Sequence, residues 1–169
     1  MRQTVSLKDE LLDEIEGTRQ RFLQLLDTIP EENYALPSEN PAWSVGDVLF
    51  HLTLGPRALA FEMWMLIHAN GVFQWELRIL PTRAFNRINA WFARRDAHRL
   101  SRAGLRKAYE NAHAALRSVL KRVREQDFAR SVVYPTDFVP ELACEVDVER
   151  LARYVKVHFE VHSMQIWQP

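Results

Sequence analysis

The feature that most limits the fold is the apolar period between Arg102 and Arg124. Leu105, Ala108, Tyr109, Ala112, Leu116, Val119, Leu120 and Val123 recur at spacings of three and four, and Arg106, Glu110, His113, Arg117, Lys121 and Arg124 fall between them as the expected wet face. A stripe of that period lies along one face of an α-helix and has to be buried against other elements. Three more segments repeat it, and prolines separate them.

The first segment opens at Ser6, three residues before Asp9, a spacing that predicts an N-cap with an acidic group in the first turn. Leu11, Leu12, Ile15, Phe22, Leu26 and Ile29 carry it to Pro30, and Glu31 to Ala42 reads as an ordered loop. The second opens at Ser44, with Asp47 three positions on, and runs through His51 to about Ala69, stopping at Asn70-Gly71. Pro56 inside it removes one hydrogen bond and predicts a kink. Val72 to Pro81 reads as a connection and Phe85 to Asp96 as helical, with Ser101 capping the helix that follows. Glu125 to Val146 reads as irregular, with Val132 to Tyr134 as a short strand. The last helix is expected from about Asp147 to about Gln168, with Leu151, Tyr154, Val155, His158, Val161, His162 and Gln165 on one broad face. Four long helices in 169 residues predict an all-α, four-helix bundle that forms a single domain over residues 1–169.

Composition narrows the setting. The single cysteine, Cys144, has no internal partner, which points to a reducing, cytoplasmic compartment. The first ten residues lack the apolar run of a signal peptide. Arg57, Glu62 and two histidines interrupt the most apolar window, Val48 to Val72, so no membrane span is expected. Charge is balanced overall but not locally. Arg78 to Arg124 holds 13 basic residues against two acidic ones, Asp96 and Glu110. A basic helix lying beside acidic ones accounts for this; the sharper alternative is an anion-binding face. No nucleic-acid recognition motif accompanies the charge, and no nucleic-acid partner is expected.

Periodicity sorts the six histidines. His158 and His162 stand four apart, so both imidazoles leave the same helix face about one turn apart, on the side predicted to be inward. Two buried imidazoles lose solvation and repel if charged, and a shared metal removes both costs. His51 adds a third, on the inward face of the second helix among Val48, Leu52 and Leu59. His51, His158 and His162 are therefore the expected metal ligands. Three imidazoles with no fourth protein ligand leave a position for water, thiol or substrate, as in catalytic rather than structural sites. Ligand type does not choose among Zn, Ni, Fe and Co. His68, His98 and His113 are assigned surface or edge roles. Asp47, one turn before His51, reads first as the partner of Ser44 in a cap and second as a carboxylate orienting His51. Glu160, between the two paired histidines, should face solvent. Trp43, Trp64, Trp91 and Phe92 are candidates to line an apolar pocket, with ordinary core packing as the competing reading.

These motifs resemble a known family. The run from Asn40 to His51, N-P-A-W-S-V-G-D-V-L-F-H, resembles the segment carrying the first metal histidine of the DinB/YfiT-like superfamily. The run from His158 to Ile166, H-F-E-V-H-S-M-Q-I, resembles the last-helix motif carrying the other two. The resemblance implies an up-down-down-up four-helix bundle with a histidine triad at one end, often as a homodimer, holding a divalent metal, Zn or Ni foremost. It also implies chemistry on small molecules: a thiol-dependent S-transferase or isomerase using a low-molecular-weight thiol such as bacillithiol or mycothiol, or a hydrolase using metal-bound hydroxide. A non-catalytic metal- or ligand-binding stress protein is the alternative of another class. Family members often carry an acidic residue just before the final histidine, where this chain has Val161.

Overall fold

The computed structural model describes residues 6–79, 101–137 and 140–166. Helix α1 spans Leu7–Thr28 and begins as expected: Ser6 Oγ accepts from the backbone N–H of Asp9 at 3.2 Å. A 3-10 turn at Glu31–Ala35 leads to α2, Val45–His68. There Ser44 and Asp47 form a complete capping box, which satisfies two backbone donors of the first turn. Pro56 lies within the α2 span.

The connection expected after α2 is instead a helix, α3, Asn70–Ile79. The break falls at Ala69, and Asn70 and Gly71 open the new helix, in which Phe73 and Leu77, four apart, are both buried and give its turns a face to bury. Helix α4, Arg102–Arg122, is capped by Ser101. The segment expected to be helical from Phe85 to Asp96 lies outside the described residues. Strand β1, Ser131–Tyr134, pairs antiparallel with β2, Cys144–Asp147, so the short strand has a partner that the sequence pattern did not reveal. The last helix, α5, spans Val148–Ser163, with Asp147 as its N-cap. It ends a turn and more before the expected boundary, and residues 164–166 form a turn.

Ion pairs give the helix directions. Arg153 on α5 bonds Glu14 and Glu10 on α1, and Arg21 on α1 bonds Glu160 on α5, so these two helices run parallel. Arg117 pairs with Glu16 and Arg106 with Asp27, so α4 runs against α1. The N-terminal end of α2 meets the C-terminal end of α5, so α2 also runs against them. The result is an up-down-down-up bundle of α1, α2, α4 and α5, in which the parallel neighbours are α1 with α5 and α2 with α4. The same pairs set two of the six basic side chains of α4, Arg106 and Arg117, against carboxylates of α1.

The core has two parts. One, from Leu11 and Ile15 through Met63, Leu116 and Leu120 to Val155, fills the end that carries the hairpin. The other, built on Phe22, Leu26, Val48, Leu49, Leu52, Tyr109 and Phe159, packs beneath the opposite end. Among the described residues no helix is long and apolar enough to cross a membrane.

Candidate metal centre

Two local sequence signals place the three histidines. The capping box fixes the start of α2, so His51 falls in its second turn and its ring leans back toward Trp43, at 4.7 Å between ring centroids. His158 and His162 occupy the last turns of α5. Because α2 and α5 are antiparallel, these stretches meet at one end of the bundle. The backbone N–H of Glu39, in the loop before α2, donates to the carbonyl of Gln165 just beyond α5 at 2.8 Å and ties the two segments together.

The structure brings the three expected histidines together. His51 Nε2 stands 3.1 Å from His158 Nε2 and 3.2 Å from His162 Nε2. Ligand nitrogens about 2.0–2.1 Å from a common centre stand roughly 3.0–3.4 Å apart, so the set fits one small divalent cation. The chemistry of the donors also fits. Without a cation, His51 Nε2 can share a single proton with only one of its two neighbours, which leaves the other nitrogen beside it without a hydrogen-bond partner there. Among the described residues, these three histidines are the one group of side chains placed to hold a metal.

The electrostatics favour neutral rings. Burial, then the neighbouring imidazole of His162, pushes His51 down to about 3. His158 is lowered well below its ordinary value by burial and by both partners. His162 is lowered by burial, against which the hydrogen bond to Gln165 and the charge of Glu141 act in the other direction. Neutral imidazoles present lone pairs, the form a metal requires.

Sequence reasoning missed one residue that shapes the site. Gly55 lies one turn after His51, and a Cβ built there would meet His158 Cε1 and Nδ1 at 2.6 Å. The signal was available as a glycine four residues beyond a ligand on the same helix face. Of the two described pocket candidates, Trp43 is the one that lies against the triad, with its ring 6.0 Å from that of His162. Trp64 is instead exposed on the outer face of α2, between Phe61 and His68. Trp91 and Phe92 lie outside the described residues.

The other assignments divide. Asp47 is a capping residue: its Oδ2 accepts from the backbone N–H of Ser44 at 2.9 Å, and it makes no direct hydrogen bond to His51. Glu160 points away from the triad and pairs with Arg21. His68 is exposed, and His98 lies outside the described residues. His113 departs from the expectation of a surface role, being fully buried and in contact with the ring of Tyr109. Its position one turn from Tyr109 and three residues before Leu116 puts it at the margin of the apolar stripe, and close packing of α1 on α4 covers that margin.

A model of the DinB superfamily matches residues 14–166, and the chain belongs to that superfamily. No curated protein matches the chain significantly. Among solved structures, YfiT from Bacillus subtilis, described as a probable metal-dependent hydrolase with an unusual four-helix bundle topology, is 19% identical. It superposes with a TM-score of 0.67 over 98% of this chain and 88% of its own. The mycothiol-dependent maleylpyruvate isomerase is 15% identical, with a TM-score of 0.69 over 94% of this chain. This chain spans only 60% of the isomerase's length. At these identities the likeness is one of fold.

Proposed function

We propose that this chain is a metal-dependent enzyme in which His51, His158 and His162 hold one divalent ion, and that it acts on small electrophiles through a low-molecular-weight thiol, as an S-transferase or isomerase. The observation that carries this reading is that His51 Nε2 stands 3.1 and 3.2 Å from the Nε2 atoms of His158 and His162, with these three side chains the one candidate ligand set among the described residues. A divalent ion held there would supply Lewis acidity, lowering the pKa of a thiol or water or polarising a carbonyl.

The residues of the chain prepare that chemistry. Burial keeps the imidazoles neutral, Gly55 lets His158 reach its position, and Trp43 supplies an apolar wall over His51 and His162. Cys144 is exposed on β2 and stands outside the triad, so a thiol nucleophile has to arrive with a cofactor. The fold shared with a mycothiol-dependent isomerase supports this choice.

Elemental mass spectrometry of purified wild type and His158→Ala tests the site, with about one Zn or Ni per wild-type chain and little in the variant as the expected result. Conjugation of a generic electrophile to a small thiol, with and without added metal, tests the reaction; equal rates in every condition would rule it out. A second reading, hydrolysis, draws support from YfiT, which this chain matches over 88% of its length. Turnover of activated esters with no thiol present would select it.

A further inference from the structure

Among the described residues, only one of the three imidazoles has a protein acceptor at its second nitrogen. His51 Nδ1 is buried with no hydrogen-bond partner among the described residues, and His158 Nδ1 faces the Cα of Gly55. His162 Nδ1 instead stands 3.3 Å from Gln165 Oε1. We propose that Gln165 is the positioning residue of the site: its side-chain carbonyl accepts the Nδ1 proton of His162 and so leaves Nε2 as the lone pair aimed at the other two ligands. The inference rests on the metal-centre reading above and adds to it the residue that selects a tautomer.

The backbone around Gln165 is held from both sides. Its N–H donates to the carbonyl of His162 at 3.0 Å, and its own carbonyl accepts from Glu39 N–H at 2.8 Å. The next residue, Ile166, is buried in the core beneath the site and donates to the carbonyl of Ser163 at 3.1 Å. The early end of α5 at Ser163 therefore has a local consequence. The chain leaves the helix, turns, and returns the side chain at 165 to the ring at 162. Because the tether uses backbone atoms, replacing the side chain leaves it in place.

A neutral imidazole has one proton and two nitrogens, and an oxygen at Nδ1 decides which nitrogen keeps it. The partner of a metal-binding histidine typically changes metal affinity by about 10–100-fold when removed. Gln165→Leu keeps the bulk and removes the acceptor; Gln165→Glu restores an acceptor, and a stronger one.

The decisive measurement is made on metal-free protein. Long-range proton–nitrogen NMR correlation of the imidazoles reads the His162 tautomer directly. Wild type is expected to show His162 protonated at Nδ1, Gln165→Leu a mixture of tautomers, and Gln165→Glu the wild-type form. Zinc affinity, measured by chelator competition, should fall about 10–100-fold in Gln165→Leu and return in Gln165→Glu. A His162 that stays wholly in the Nδ1–H form in Gln165→Leu, or a Gln165→Leu chain that binds zinc as tightly as wild type, would overturn the proposal. Thermal unfolding of each variant separates loss of tautomer control from loss of fold. If wild type binds no zinc, the metal-centre reading falls, and the tautomer measurement still tests Gln165 by itself.

Discussion

The imidazole of His158 rests against the bare Cα of Gly55, where a methyl group would stand 2.6 Å from both Cε1 and Nδ1. That contact sets how closely α5 approaches α2 and so where His158 Nε2 points. Gly55→Ala would raise helix propensity by about 1 kcal/mol at an ordinary site. Here it should displace the ring and lower metal affinity by 10-fold or more, whatever it does to the melting temperature. Chelator competition and thermal unfolding on the same variant separate the two effects.

Trp43 makes the site visible. Its ring lies 4.7 Å from His51 and 6.0 Å from His162, closer than any other described tryptophan contact to the triad. Loading with Co or Ni should quench part of the intrinsic fluorescence, and Trp43→Phe should remove most of that response while leaving metal stoichiometry unchanged. A quench of full size in Trp43→Phe would place the bound ion elsewhere.

His113 links the bundle to acid. Burial, then the charge of Arg19, pushes it down to about 3 from an ordinary value of 6.5, and neither ring nitrogen has a partner among the described residues. The unfolded chain therefore binds this proton first. The stability that rests on neutral His113 is complete above pH 6.5 and is lost as pH falls toward 3, by about 2 kcal/mol between pH 6.5 and 5. His113→Phe should flatten that part of the pH dependence in urea titrations at the two pH values. An unchanged slope would mean that the ring gains a partner on protonation.

Glu62 has the opposite sign. Burial of its carboxyl pushes it up to about 7, against the Tyr134 hydroxyl, which donates to it at 3.0 Å and favours the charged form. Part of the residue keeps its surface, yet the carboxyl itself is enclosed. The cost is absent below about pH 4.5, grows as pH rises and is complete above about 7. Glu62→Gln keeps an acceptor for Tyr134 and should stabilise the chain at pH 8 by roughly 1–3 kcal/mol, with little effect at pH 4. Denaturant midpoints at both pH values check it.

Much of the bundle is legible in the sequence because its signals act over three or four residues. Ser6 with Asp9, Ser44 with Asp47 and Ser101 each mark a helix start, and the periodic stripes give α1, α2, α4 and α5. The spacing of His158 and His162 is equally local. What the tertiary structure decided is everything that depends on a surface supplied from elsewhere in the chain. Helix α3 forms because Phe73 and Leu77 find a face to bury, and β2 appears because β1 is there to pair with it. His113 is dry because α1 covers the edge of a stripe that its own helix leaves polar. His51 and His158, 107 residues apart, meet because α2 and α5 run in opposite directions, and no period along one helix encodes the direction of another. Gly55 and Gln165 acquire their roles only there: one makes room for a ring from across the bundle, and the other is turned back onto a ring by the chain's early exit from its helix.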